Sequence, residues 1–586
     1  MIRVFQARPG SLLANTDSGL ITLHLPEGAA KDSLEGDCFA TVDETDTTLD
    51  PGCPLSNLGS IGAKSKEPLI IKSRNDMEGV SSPTSSDSSR SSINIKIDGI
   101  ALGTEHLKRN ELVAKLQNLV SSNSIVLLTS PAASGKSSLF KLYKAATENV
   151  KVVGISFLSE KTPFELLKAK GIDLEGENIK EELSRKNVVF FLDDAQKKYC
   201  EVSFWEALVK ATGIWIPEKI KFIISATHSL SGGNQSPVEF QSLPRLTRMD
   251  FLLTDEEAYR FLELSQIGLP ANIREHRILK DILVRDSGGL VGALRLAINS
   301  LKGAFHSYKN APIQESLCLQ YCLSLPFVEN MARCFGSVHS YPSGEDFKRF
   351  LKNCLSDEKV PLKFLANQQD NDTYLSLKKS GILVGPPDAN FGFSSQLAKR
   401  YYFRWIFPNR SETTPTTLRE LIMNVIGNMS ATILKNSTQC NDFPKEAVFQ
   451  HLFMEGLASF TPPNCHICPE LSKIFPETTN ANTQQAIPGA IDFYLNSSLH
   501  WGIELLVNGD GIGEHIKRFT PPDGKYAALA LSDFTVVDFR GNSTGQPTNI
   551  AKHSKRITVF FKKDDYSIAN CIFGEESNVV EINLSN

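Results

Sequence analysis

SPAASGKSSLF, residues Ser130 to Phe140, is the stretch on which the reading of this chain turns. Gly135, Lys136 and Ser137 form the tail of a phosphate-binding loop, but Ser130 stands where such a loop usually opens with glycine. Just before it, SNSIVLLTS (Ser122 to Ser130) holds a short apolar, β-branched run that predicts a buried strand. Just after it, KSSLFKLYKAA has helical spacing. A phosphate loop needs that strand–loop–helix setting, because backbone amides and the helix N-terminus wrap the phosphates. In such a loop Lys136 reaches the β- and γ-phosphates, the Ser137 hydroxyl ligates Mg2+ and Gly135 permits close backbone approach. The first glycine mainly eases a turn, so Ser130 is a mild loss.

Two later stretches complete the pattern. NVVFFLDDAQ (Asn187 to Gln196) is an apolar strand ending in two aspartates, as in a Walker B strand. Asp193 is the expected Mg2+ holder, through water, and Asp194 the group that orients or activates the attacking water. IKFIISATHS (Ile220 to Ser229) ends in polar Thr227 and His228, where additional-strand ATPases place a sensor of the γ-phosphate. The expected nucleotide-binding set is therefore Ser130, Gly135, Lys136, Ser137, Ser138, Asp193 and Thr227, with ATP (or GTP) and Mg2+ as cofactors.

The 586 residues are too many for one core. Hydrophobic residues make up 41%, charged residues 22%, and the net charge is −4, which is ordinary for a soluble protein. No apolar run approaches a membrane span, and the N-terminus lacks the long apolar core of a signal peptide. The eleven cysteines are irregularly spaced, which suggests reduced thiols. VSSPTSSDSSRSS (Val80 to Ser92) is Ser-rich and reads as a linker. The expected layout is a multidomain mixture of α/β and α+β parts. A small N-terminal domain at 1–74 opens with MIRVF and closes with EPLIIKS, and a linker at 75–95 follows. A P-loop NTPase with lid fills 96–312, a winged-helix-like module 313–430, and an α+β domain 431–586.

TDEEAYRFLELS begins with a capping Thr254 and acidic Asp255, Glu256 and Glu257, which suit a helix start. GGLVGALRLAINSLKG places Leu290, Ala293, Leu294, Ala297, Ile298 and Leu301 on one helical face. Arg245 and Arg248 are either γ-phosphate contacts or exposed loop arginines. This layout resembles the STAND and AAA-type ATPases. In them a glycine pair before a helix marks the lid, matched by Gly288 and Gly289 without the usual proline. TYLSLKKSGILVGPPDANFGFSSQLAKRYYFRWIF reads helix, strand, turn, strand, helix. Its run Lys399, Arg400, Tyr401, Tyr402, Arg404, Trp405 suits either nucleic acid or a helix buried against the lid.

AIDFYLNSSLHWGIELLVNGDGIGEHIKRF (Ala490 to Phe519) predicts a hairpin, IDFYL and WGIELL, followed by a helix carrying Glu514, His515 and Arg518. YAALAL and FTVVDF read as further strands. Asp492 and Glu504 on the hairpin could converge on a divalent metal that activates water. An Asp on one strand and Glu-x-Lys on the next is the restriction-endonuclease-like core, but Leu506 stands at the lysine position. Lys517 or Lys525 is then the candidate cation. The other readings are an α+β scaffold with ordinary strand carboxylates, and a ββα-metal nuclease built on His500, Asn508 and His515. Upstream, Cys440, His451, Cys465 and Cys468 are a candidate zinc set.

Together these stretches resemble the Crinkler (crinkling-and-necrosis) effectors and related NTPase-plus-nuclease proteins of eukaryotic microbes. The resemblance rests on LDPGCPLSNLGSIGAKSKEPLIIKS at the end of the N-terminal domain and on the P-loop set with FGFSSQLAKRYYFRWIFPNR. WGIELLVNGDGIGEHIKRF with the later GKY and DFTVVDFR carries it further. It implies a ubiquitin-like N-terminal domain and an effector that acts in the host nucleus, by binding and damaging DNA, with DNA and host nuclear proteins as partners. It also implies nucleotide hydrolysis by Lys136, Ser137, Asp193 and Asp194, and DNA cleavage by Asp492, Glu504 and His515 or Lys525. The oomycete export motif and signal peptide are missing, so secretion would follow a non-standard route. The alternative location is the cytoplasm or nucleus of the producing cell. KHSKR (Lys552 to Arg556) is a weak basic cluster. Alternative functions are an inactive nuclease fold serving as an ATP-gated binding switch, or a STAND-type signalling ATPase. ATPases of this fold often complete their site with a neighbour's arginine, so a homo-oligomer is among the expected partners.

Overall fold

The computed structural model describes residues 21–24, 39–42, 47–49 and 70–73, then 99–228, 242–309, 311–335, 345–356, 360–361, 368–385, 390–408, 411–438, 443–471, 475, 491–509, 512–521, 524–547 and 553–585. The chain forms two compact units, Met1–Asn94 and Ile95–Asn586. In the first, Ile21–His24 pairs antiparallel with Ile70–Ser73, and Phe39–Val42 pairs antiparallel with Thr47–Leu49. The MIRVF opening and the Ser-rich linker lie outside the described residues.

The second unit begins with five parallel strands: β1 (Ile125–Thr129), β2 (Lys151–Ser156), β3 (Val188–Asp193), β4 (Ile220–Ala226) and β5 (Arg245–Thr247), in the order β5-β1-β4-β3-β2. The strands are apolar on both faces. Ile125, Leu127, Phe190, Leu192, Phe222 and Ile224 pack on one side, while Val126, Leu128, Val189, Phe191 and Ile223 pack on the other. This is the continuous hydrophobic signature of a doubly covered parallel sheet. Helices α1 (Asn110–Ser122) and α2 (Lys136–Ala146) flank it, with Phe140 of α2 stacked on Phe191 at 3.9 Å.

The lid follows as α3 (Asp255–Glu263), α4 (Arg277–Ser287) and α5 (Val291–Ala304). The expected cap is there: Thr254 and Glu257 form a reciprocal capping box. All six apolar residues expected on one face of α5 or its start are buried. Next come α6 (Glu345–Ser356), β6 (Val360–Pro361), α7 (Gln368–Lys379), β7 (Leu383–Val384), β8 (Asn390–Phe393) and α8 (Gln396–Ile406). Strands β6, β8 and β7 make a small antiparallel sheet, so the helix–strand–strand–helix reading holds.

The C-terminal part is a seven-stranded sheet in chain order: β9 (Ile467–Pro469), β10 (Phe493–Leu495), β11 (Trp501–Val507), β12 (Asp533–Asn542), β13 (Arg556–Lys562), β14 (Asp565–Phe573) and β15 (Val580–Asn583). Strands β11, β12 and β13 run parallel, and the outer pairs are antiparallel. Helix α10 (Glu446–Phe460) lays Phe449 against Phe539 at 4.1 Å. Helix α9 (Leu418–Gly427), expected with the helical module, instead packs on α10 and β15. Gly456 of α10 makes this possible, since a Cβ there would sit 2.8 Å from Val425. YAALAL is not a strand. It forms a 3-10 turn at Ala527–Leu529, because its alanines lack the branched side chains that favour a pleated surface. One buried core runs without interruption from Leu253 through lid, wing and sheet to Phe573.

The nucleotide site and the buried carboxylates

The loop after β1 carries two left-handed residues, Ala133 (φ 62) and Gly135 (φ 95), and Ser130 is not one of them. Ser130 needs no glycine freedom, and its amide donates to Ala226 O at 3.2 Å, continuing the sheet. Lys136 starts α2 and folds back, its Nζ donating to Ser130 O at 2.6 Å and Pro131 O at 2.8 Å. Those carbonyls hold the ammonium in the cradle that phosphate oxygens would share. Burial pushes Lys136 down to about 8, against the pull of Asp193 and Asp194.

Ser137 Oγ donates to Asp193 Oδ2 at 3.0 Å, and Ser225 Oγ donates to Asp193 Oδ1 at 2.9 Å. Burial, and then Asp194, raise the Asp193 carboxyl above the usual range. Asp193 and Ser137 are thus the pair that would hold Mg2+, a hydroxyl and a carboxylate facing one point beside the ammonium. Asp194 follows in a left-handed conformation, φ 57, which turns its side chain away from the strand direction. Gln196 Nε2 donates to Asp194 Oδ1 at 3.2 Å, and Thr227 N donates to Gln196 Oε1 at 3.1 Å. Thr227 Oγ1 lies 2.9 Å from His228 Nδ1, and Tyr199 OH donates to His228 O at 2.7 Å. Burial, then Lys379, push His228 down to about 4, so the imidazole is neutral near pH 7.

One residue of the expected nucleotide set is elsewhere engaged. Ser138 Oγ accepts Ile100 N at 3.2 Å. One residue along a helix rotates a side chain by about 100°, which carries Ser138 off the face that Ser137 presents. The arginines are not exposed loop residues. Arg245 lies in β5, with its Nε donating to Leu243 O at 3.2 Å, and Arg248 Nη2 donates to Ser394 O of the wing at 2.9 Å. The lid also closes on the loop: Gly292 N donates to Ala133 O at 2.9 Å, and a Cβ on Gly292 would fall 2.4 Å from Ala133. Gly292 was legible only as a glycine, and Gln196 only as the last letter of NVVFFLDDAQ.

The cation–aromatic run is core. Lys399 pairs with Glu470, Arg400 with Asp286 and Arg404 with Glu329. Tyr401 and Tyr402 are buried, and Trp405 is exposed. The run is therefore mostly the buried helix of the two readings, since Lys399 and Arg400 are buried on their carboxylates while Arg404 is half-buried beside Glu329.

In the C-terminal sheet, Asp492 precedes β10 and Glu504 lies on β11, both buried. Asp492 accepts Gln450 Nε2 at 2.7 Å and Leu505 N at 2.6 Å. Glu504 Oε1 sits 2.6 Å from His515 Nδ1 and pairs with Arg518. The carboxylates act on one another. Burial first, then Glu446 and Glu504, hold Asp492 well above the carboxylate range, and burial and Glu504 raise Glu446. Among the described residues, no three His, Cys, Asp or Glu side chains converge as metal ligands. The expected metal pair Asp492–Glu504 is instead drawn into internal bonds, although Glu504 Oε2 is buried without a partner. The cation opposite Glu504 is Arg518. Lys517 is exposed, and Lys525 Nζ lies 5.7 Å over the Tyr526 ring. Glu446, Gln450 and the part played by Arg518 escaped sequence reasoning. The signal for the first two was their i, i+4 spacing at the start of α10.

Two further expectations fail on geometry. His500 and Asn508 flank the two ends of β11, about 26 Å apart at about 3.3 Å per residue, so His500, Asn508 and His515 form no single site. Cys465 Sγ donates to Asn496 O and Cys468 Sγ to Leu323 O, while His451 turns to Glu455 at 3.6 Å. Burial holds both thiols up at about 12, and among the described residues they join no cluster of three metal-ligating side chains. Cys440 lies outside the described residues.

A parallel β5-β1-β4-β3-β2 sheet, a phosphate loop after β1 and an aspartate ending β3 define a P-loop nucleoside-triphosphatase fold with an added strand between the two motifs. No family model and no curated protein matches the chain. Solved structures similar to it include a Walker-type ATPase of Pyrococcus abyssi (13% identity, 50% of this chain and 95% of that one, TM-score 0.33). Others are the RuvB Holliday junction branch migration motor of Thermotoga maritima (14%, 48% and 91%, 0.29) and the ORC1 protein of Aeropyrum pernix in complex with DNA (12%, 50% and 90%, 0.28). No helix among the described residues is long and apolar enough to cross a membrane.

Proposed function

We propose that the chain is a nucleotide-operated switch that binds and hydrolyses ATP (or GTP) with Mg2+, and that its nucleotide state acts on the C-terminal sheet. The carrying observation is the Ser137 Oγ–Asp193 Oδ2 bond of 3.0 Å beside the Lys136 ammonium. Lys136 meets the phosphates, Ser137 and Asp193 hold the metal, and Asp194 takes the proton of the attacking water. The test is binding of a fluorescent ATP analogue and phosphate release by the full-length protein. Both are expected in the wild type. Lys136→Ala should lose binding, and Asp194→Asn should keep binding while losing hydrolysis.

A second reading concerns the output. Asp492 and Glu504 are buried side by side with one orphaned Glu504 oxygen, and Asp492 and the neighbouring Glu446 are held above the carboxylate range, which favours a restriction-endonuclease-like site in which Arg518 stands in for the lysine. In this reading the protein is a Crinkler-like effector that binds and cleaves DNA in a host nucleus. Plasmid nicking with Mg2+ that is lost in Glu504→Ala supports it. A plasmid shifted on a gel but never cut leaves a DNA-binding switch.

A further inference from the structure

Gln196 is part of neither motif, yet it joins them. Its amide nitrogen reaches Asp194 Oδ1 at 3.2 Å, and its amide oxygen takes Thr227 N at 3.1 Å. This orientation is the only consistent one. Flipping the amide would set an oxygen against the carboxylate and an NH2 against a backbone N–H. The Gln196 side chain therefore spans from the turn after β3 to the end of β4. Tyr199, on the same turn, ties it again through His228 O at 2.7 Å.

We infer that Gln196 is a positioning residue for hydrolysis: it fixes the Asp194 carboxylate and couples it to the strand end that senses the γ-phosphate. The inference rests on the ATPase reading above. With Oδ1 engaged by the amide, Asp194 presents Oδ2 to a water. In the reaction the water oxygen bonds to the γ-phosphorus as the bond from that phosphorus to the β–γ bridging oxygen breaks. The bridging electron pair leaves with the diphosphate. The water gives one proton to Asp194 Oδ2, which passes it to solvent. Asp194 sits at φ 57, a conformation rarely held without support, and Gln196 is the side chain that braces its carboxylate. A shift of Thr227 on phosphate binding moves the Gln196 oxygen, and with it the amide that aims Asp194.

The test uses full-length protein, Mg2+ and ATP. Affinity is measured with a fluorescent ATP analogue, and the chemical step by single-turnover hydrolysis. Gln196→Ala is expected to keep its affinity within about twofold and to lose about a hundredfold in rate, the order that a small misplacement of a reacting group costs. Combined with Asp194→Asn, it is expected to lose nothing further, because the two act as one unit. Gln196→Met, of similar volume, serves if the alanine variant does not fold, and retained nucleotide affinity certifies either variant. An unchanged rate, a rate loss matched by lost affinity, or additive losses in the double variant would overturn the assignment. A wild type that binds nucleotide but never hydrolyses it removes the ATPase reading itself, and this proposal with it. Hydrolysis that persists undiminished in Gln196→Ala removes only the proposal.

Discussion

Gly381, just past α7, lies against Pro131 in the phosphate loop: a Cβ on Gly381 would come within 2.0 Å of Pro131 Cγ. Gly381 also has φ +73, so alanine there is strained as well as crowded. Gly381→Ala is expected to cost about 1–2 kcal/mol from the backbone alone, and more from the displaced wing. The check is urea unfolding together with nucleotide release, which should quicken as the wing lifts from the loop.

Ala133 offers the opposite experiment. It holds a left-handed backbone, φ 62, at a bend that glycine enters freely. Ala133→Gly should stabilise the fold by about 0.5–1 kcal/mol. The backbone bond from Gly292 N survives the change, so hydrolysis should persist. A lower melting temperature would contradict this.

The phosphate site was legible because it is local. Strand, loop and helix are contiguous from Ile125 to Ala146, and Asp193 marks its own strand end. That the Ser138 hydroxyl turns to Ile100 N was not legible, because a sequence motif carries no helical rotation. The carboxylate site was only half legible: Asp492 and Glu504 sit on neighbouring strands, but Glu446, Gln450 and Arg518 arrive from elements distant in sequence. Cations alternating with aromatics at 399–405 are compatible with both solvent and core. Only the positions of Glu470, Asp286 and Glu329 decide between them.

Arg400 pairs with Asp286 where both are about 2% exposed, and it also donates to Cys322 O at 3.0 Å. Removing one partner strands a buried charge. Arg400→Ala should destabilise by about 3–5 kcal/mol. Arg400→Leu with Asp286→Leu should cost less than the sum of the single changes, as a double-mutant cycle by chemical denaturation would measure.

The carboxylate group predicts a pH dependence. Asp492 and Glu446 are raised above the ordinary carboxylate range in the folded protein, chiefly by burial. The folded state therefore holds protons more tightly than the unfolded chain. That stabilisation is full below about pH 4 and is lost as pH rises through the raised values. Asp492→Asn should flatten this part of the profile, read as melting temperature against pH on the alkaline side of pH 4.

The uninterrupted core from Leu253 to Phe573 bears on ancestry and engineering. Exchange of coding segments works when a cut falls between independently packed parts. Within this span a crossover would split α8 from its partners Asp286 and Glu470, or the lid from its wing. Lid, wing and C-terminal sheet would have to be inherited together. Chimaeras joined at the Ser-rich stretch near residue 90 avoid the span entirely, since the boundary between the two compact units falls at Asn94 and Ile95.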